Sequence, residues 1–349
     1  MSRPLVVRAG GFSVRTTARM LVVCAILAVC CVGLAAWAIT LGSFDVTIGD
    51  VLAVAAGTAE GPVTKVVSEW RAPRVLGALL FGAALGVAGG VFQAITRNPL
   101  GSPDVIGFTT GSYTGVVAVL TLGMTGYAER AGGALVGGIL AAVVISALSY
   151  RGGLQGLRLV IVGIAVGAFL GALNTWFTVK ADIDLAMRAA VWGAGTLSLV
   201  DATALGAAAI ALAGVAVFLP AAQRRLRRLE LGDDTAAMLG IPVERTKVML
   251  IALAVAAIAA VTAAAGPIAF VALAAPQIGR RLTGHGASTD LMGSALVGAL
   301  LLLLSDIAAQ HAIPGTALPT GAVTVCVGGL YLLILLVRES RRFARGEGR

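Results

Sequence analysis

The chain has 349 residues, of which 58% are hydrophobic and only 12% charged, with a mean hydropathy of +0.95. No water-soluble fold hides that much apolar surface, so soluble enzymes and soluble binding domains are excluded. The formal net charge of +9 follows from how basic residues are distributed about a membrane and requires no nucleic-acid partner.

At ~20 apolar residues per crossing of ~30 Å of hydrocarbon, the chain has room for about ten spans. The apolar runs are long and do not alternate with a period of two, which selects helices over a barrel. The 46 glycines suit helices that approach backbone to backbone. Residues 1–19 read as a basic cytoplasmic segment. The run 20–41 is too long for the apolar core of a signal peptide and has no cleavage site before Ser43, so it reads as a retained span. Further spans are expected at 75–95, 105–125, 131–150, 158–178, 198–219, 248–265, 268–283, 291–310 and 319–338. These make 20–338 a transmembrane domain, followed by a cytoplasmic basic tail at 339–349. Cys24, Cys30, Cys31 and Cys326 all sit in apolar runs and read as packing residues.

With the N-terminus inside, only Lys65, Arg71, Arg74, Arg130, Lys180 and Arg188 of the 26 Lys and Arg fall outside. That bias fixes the expected topology, with both termini cytoplasmic.

Three segments stand out. Between the sixth and seventh spans, residues 223–247 form the longest cytoplasmic connection. Arg224, Arg225, Arg227 and Arg228 anchor its start at the lipid surface. Gly232 then breaks the chain, and Asp233 and Asp234 supply a cap and negative first turn to a short helix. That helix runs through Thr235, Met238 and Leu239 to Gly240, a stop followed by Pro242. It is either an ordinary capped loop helix or a docking helix for a soluble partner. The segment 97–111, RNPLGSPDVIGFTTG, has too many Pro and Gly for a simple hairpin. Arg71 and Arg74, one turn apart at the outer start of the second span, either snorkel to headgroups or receive an acidic external protein.

Asp306 is the one charge well inside a span, where burial is expensive, and it serves either transport or structure. Thr109, Thr110, Ser112 and Thr114 on the third span, with Asn174 and Thr178 on the fifth, are candidates for a weakly binding path. Packing polar residues between helices is the alternative for each. No GxxxxGK[ST] is present, so nucleotide hydrolysis by a P-loop is excluded. His285 and His311 form no zinc motif, so no catalytic or metal site is expected.

In this order the segments RAPR, RNPLGSPDVIGFTTG, LGDDTAAMLGIPVERTK, AGPIAFVALAAPQIGRR, SDIAAQ and LPTGAVTVCVGGLYLLILL resemble the FecCD-type permeases. These are the iron-siderophore and cobalamin branch of the ABC importers, and the likeness runs from about Phe44 to Arg342. FLGALNTWFTVKA, LELGDDTA and GGLYLLILLVRES are most like members that carry catecholate ferric siderophores. The resemblance implies an all-α type II importer permease in a bacterial inner membrane, paired with a second, distinct permease. It also implies two copies of a cytoplasmic P-loop ATPase, which would hold ATP and Mg, and an external siderophore-binding protein. It would make Asp233 to Gly240 the coupling helix and Arg71 and Arg74 the docking cations. Many relatives have Pro-His where this chain has Pro276-Gln277, a basic residue at Gln310 and Glu-Leu-Pro at Ala317 to Pro319. An ion-coupled secondary transporter and a cobalamin or haem importer are the rival readings, while the absence of a catalytic cluster or charged ring disfavours an enzyme or channel.

Overall fold

The computed structural model describes residues 4–9, 12–104, 106–124, 126–151, 153, 155–284 and 289–344; His285 and the end of the basic tail lie outside them. Strands β1 (Pro4–Ala9) and β2 (Phe12–Thr17) pair antiparallel ahead of the first helix, in the stretch expected only as a basic segment. The rest is helical: α1 (Ala18–Thr40), α2 (Ile48–Ala55), α3 (Pro62–Lys65), α4 (Ala72–Thr96), α5 (Phe108–Thr121), α6 (Tyr127–Ser149) and α7 (Gly156–Lys180). Then follow α8 (Ile183–Gly193), α9 (Ala202–Leu229), α10 (Asp233–Met238), α11 (Val243–Ala265), α12 (Val271–Thr283), α13 (Leu291–His311) and α14 (Thr320–Ala344).

A helix stands at each expected span position, and among the described residues seven are long and apolar enough to cross a membrane. Two of the others, α5 and α12, have 14 and 13 residues, or roughly 20 Å at 1.5 Å per residue. Each starts late because the chain before it is irregular. The prolines and glycines of 97–107 delay α5, and Gly266 at φ 75 with Phe270 at φ 67 delays α12.

The second span is longer than expected, because α3 passes through a π turn at Val66–Arg71 directly into α4. Pro73 supplies a physical reason. Its ring displaces the carbonyl one turn earlier and it has no N–H to donate, and a widened turn absorbs both defects. Arg71 and Arg74 therefore lie within a continuous helix, not at its start.

At the core, α4 packs against α13 and α12 through glycine. A methyl group on Gly82 would overlap the Gly298 carbonyl, one on Gly86 the Ser294 carbonyl, and one on Gly89 the Ala272 carbonyl. The contact is reciprocal, since Gly298 meets the Gly82 carbonyl. With no side chains between them, the backbones touch and van der Waals contact replaces the hydrophobic effect, which lipid cannot supply. The same device joins α5 to α6, where Gly111 and Gly115 face Gly133 and Gly137. Around these contacts Phe81, Leu85, Phe92, Phe108, Leu250 and Ile258 are fully buried.

Replacing Gly86 by Leu should part α4 from α13 and abolish accumulation of folded protein in membranes. Gly214→Ala, at an α9 position with open space around it, should leave the yield unchanged; equal yields for the two variants would contradict the packing account.

Candidate functional site

The functional candidates gather at the two ends of α4. At one end stands α10, six residues long. Gly232, at φ 111, is its N-cap and makes no side-chain cap bond, so Asp233 is not the cap that the sequence suggests. Its carboxylate instead accepts from Arg97 Nη2 at 2.8 Å and Lys247 Nζ at 2.7 Å. Arg97 ends α4 and Lys247 lies in the first turns of α11, so one acid ties α10 to two long helices. Lys247 is nearly buried, with 6% of its side chain exposed, which makes its link to Asp233 the stronger of the two. The far end of α10 closes with Gly240 at φ 76, where Gly240 N–H donates to Ala237 O and Ile241 N–H to Ala236 O. Ala236 is buried against the body, while Asp234, Thr235, Met238, Leu239 and Gly240 point away from it. Met238 is 89% exposed. The result is an acidic, apolar knob on a braced base. The connection holding it is shorter than 223–247, because α9 continues to Leu229 and α11 begins at Val243.

The segment 97–107 sits beside this end. Gln277 Nε2 donates to Pro99 O at 2.7 Å, so the glutamine that replaces histidine in many relatives binds this irregular turn. Asp104 accepts from Thr109 Oγ1 at 2.9 Å and from Phe270 N–H at 3.2 Å, joining the break before α5 to the break before α12. Removal from water pushes its carboxyl up to about 6, and these two hydrogen bonds oppose the rise.

At the other end of α4, Arg74 and Asp306 form a two-point pair, Nε to Oδ2 and Nη2 to Oδ1, each 2.9 Å. Asp306 also accepts from Thr320 Oγ1 and Gln310 Nε2, both at 2.8 Å. Only 14% of the Arg74 side chain and 1% of that of Asp306 are exposed. This cluster ties α4, α13 and α14 together. The sequence separates the two residues, one as a docking cation and one as a path residue, and the fold makes them partners. Arg71 is bound differently: it donates to the carbonyls of Ile39, Thr40 and Phe44 at the end of α1, over Gly42. Neutral carbonyls hold the guanidinium without cancelling its charge.

The path candidates are not brought together. Thr109, Ser112 and Asn174 are buried within this subunit, so they line no open path in this structure. The hydroxyls of Thr114 and Thr178 donate to carbonyls one turn back on their own helices, and Thr110 supplies one of those carbonyls. Thr114 does border an apolar groove of about 860 Å³ between α5, α6 and α7. Asn174 is the exception to local satisfaction, since neither amide atom has a partner. Among the described residues no cluster of His, Cys, Asp or Glu could hold a metal ion.

Comparison with known proteins places this geometry. The model of the FecCD transport family matches residues 25–338. The ferric enterobactin transport system permease protein FepG of Escherichia coli is 44% identical over 326 residues, covering 93% of this chain and 98% of that protein. FepD, a permease protein of the same E. coli system, is 32% identical, with 83% and 87% covered. The iron(3+)-hydroxamate import permease FhuG of Bacillus subtilis is 34% identical, with 79% and 84% covered. Among solved structures, an inward-facing metal-chelate-type ABC transporter superposes with a TM-score of 0.81 at 24% identity, over 91% of this chain and 99% of that one.

Asp306→Asn should strand a buried guanidinium and cost about 3 kcal/mol, read as a lower melting temperature of the solubilised protein; joint replacement of Arg74 by Met and Asp306 by Leu should recover most of it. Asp104 has a raised pKa, so its folded form favours the proton. Its contribution to stability is present below the ordinary carboxyl value of 3.8 and is lost as pH rises through about 6. Asp104→Asn should therefore gain thermal stability over the parent at pH 7.5 and not at pH 4; a constant difference across that range would refute it.

Proposed function

Because the chain belongs to the FecCD transport family, we propose that it forms half of the membrane pathway through which an ATP-driven importer brings a ferric siderophore of the catecholate type into the cytoplasm. It is a transport subunit, not an enzyme, and it is a multi-pass membrane protein. In this reading the membrane is the bacterial inner membrane, ten helical segments cross or enter it, and the α10 end faces the cytoplasm. The bias of Lys and Arg toward that end supports the orientation. The iron is cargo and arrives already chelated.

One observation carries the coupling assignment: α10 projects Met238 and Leu239 outward while Asp233 fixes its base to Arg97 and Lys247. An exposed thioether and leucine beside acidic residues form a small surface suited to a groove on another protein. The partner in that groove is a cytoplasmic P-loop ATPase, present in two copies, which holds ATP and Mg. When nucleotide closes the ATPases, force on α10 passes into α4 and α11, and the space between subunits opens alternately to either side.

The second permease is a related, distinct chain. Two permease proteins of one E. coli system, FepG and FepD, both resemble this sequence, and a pair of that kind supports a heterodimer. The apolar faces of α7 and α14, including Phe169, Trp176, Leu330 and Leu333, are exposed in this subunit and available for that contact or for lipid. An external siderophore-binding protein delivers the cargo. Arg71 keeps its full charge at the outer end and is the better candidate to attract it, whereas Arg74 is neutralised by Asp306. The exposed parts of the Thr110, Thr114 and Thr178 side chains remain the candidates from this chain for a weakly binding wall.

Met238→Asp with Leu239→Asp alters only the exposed face of α10. In the reconstituted importer it should reduce siderophore uptake at least about tenfold while the permeases still fold and pair, a loss equivalent to about 1.4 kcal/mol of coupling. Undiminished uptake would remove the coupling role from α10.

A further inference from the structure

A groove of about 340 Å³ opens at the Arg74 end of the bundle, between the end of α5, the start of α6, α8 and the segment before α9. Two arginines line it, Arg130 from α6 and Arg188 from α8, against a wall that includes Met187, Val191, Trp192 and Leu199. The wall is held in place by its own contacts. Trp192 is 5% exposed and stacks on Tyr113 with ring centroids 5.8 Å apart, and the Tyr113 hydroxyl donates to Ala189 O at 3.1 Å. Tyr113 therefore pins α8 against α5 and fixes where Arg188 stands.

Among the described residues, neither guanidinium of this groove is engaged by a carboxylate at hydrogen-bond range. Arg74 pairs with Asp306, and Arg97 and Lys247 with Asp233, but neither groove arginine takes part in such a pair. Arg130 Nε donates only to Gly126 O, at 3.2 Å, and Arg188 is exposed. The nearby acids Glu129 and Asp184 pair with neither. Two guanidinium groups unpaired with a carboxylate, beside the exposed apolar side chains of Met187, Val191 and Leu199, describe a receptor for an anion that also has flat, apolar rings.

We propose that Arg130 and Arg188 form an entry site for the anionic catecholate chelate, receiving one aryl arm as the cargo leaves the binding protein. This rests on the siderophore reading above. Three doubly deprotonated catecholates around one ferric ion leave a complex of charge −3, whereas a ferric trihydroxamate is neutral, so this site favours the first class. The groove holds part of such a chelate and not the whole, as a site that must release its cargo requires. A protein carboxylate would be served by the arginines alone; the apolar wall of Met187, Val191 and Leu199, backed by Trp192, is what suits a ring.

The test uses the complete importer in proteoliposomes with ferric enterobactin as probe, reading both uptake and the stimulation of ATP hydrolysis by the loaded binding protein. Arg130→Gln with Arg188→Gln should lower uptake about tenfold at subsaturating probe, as expected for two partly exposed charge contacts, and leave stimulation unchanged. Arg130→Lys with Arg188→Lys should stay close to the parent, which separates charge from folding. Unchanged uptake in the Gln pair overturns the proposal. So does a parallel fall in stimulation, which would make the arginines docking residues, or a Lys pair as defective as the Gln pair. If the parent importer itself fails to carry ferric enterobactin, the substrate reading fails and takes this site with it.

Discussion

Glycine on α4 sets the distance at which the rest of the bundle packs. At Gly82, Gly86 and Gly89 the neighbouring carbonyls of α13 and α12 occupy the space a side chain would need. Inside a bilayer the hydrophobic effect does not drive helices together, so close backbone approach and the dispersion it allows must do so. Helices in such contact cannot slide without collision, because their surfaces interlock residue by residue. The pair α4 and α13 therefore behaves as one rigid piece. Its partner at the Arg74 end, Asp306, is held on the same piece, which makes the buried ion pair a consequence of the glycine contact.

That rigidity explains how a six-residue helix could move a membrane domain. The base of α10 is pinned by Asp233 to the end of α4 and the start of α11, the most enclosed of the membrane-length helices among the described residues, with 72% of their apolar windows buried. A push on α10 reaches the core directly and is not dissipated in a loose loop. By contrast α1 and α7 are only 11% buried over their apolar windows, so they form the periphery of this subunit. Displacement generated at α10 must appear where a stiff core meets weakly held faces, and those faces are where lipid or a second permease would lie.

The sequence makes the spans legible because hydropathy and length are local properties. It also reveals α10, since Gly232, the acidic first turn, Gly240 and Pro242 are punctuation with a fixed local meaning. The order of segments made the family recognisable. What it hides is pairing at long range. Nothing near Arg74 announces Asp306, more than two hundred residues away, and nothing near Arg97 announces Asp233, so the sequence does not show that these acids and bases neutralise one another. The amphipathic helix α8 and the short α2 escaped because a search for spans passes over brief outer helices. The π turn before Pro73 escaped because helix-period patterns do not report a widened turn. The buried Thr109 and Ser112 looked like path residues for a related reason: polarity within a span does not say which way a side chain faces.

The same distinction between charge and pairing decides how the Arg74 end can act at a distance. A guanidinium matched by a carboxylate at hydrogen-bond range presents almost no net field beyond a few ångströms, whereas one held by carbonyl dipoles remains a unit charge. Arg74 belongs to the first kind and Arg71 to the second, although both come from the same RAPR segment. Arg130 and Arg188 also keep their charge. Each is a local charge felt over about a Debye length of 8 Å at physiological salt, set among the acids Glu129, Asp182, Asp184 and Asp201 of the same segments. An exposed local charge of this kind orients an arriving anion without gripping it tightly. Strong grip would oppose transport, because each arriving molecule must leave before the next can enter; a few exposed charges over a rigid apolar floor meet both requirements, and a buried pair like Arg74 and Asp306 meets neither.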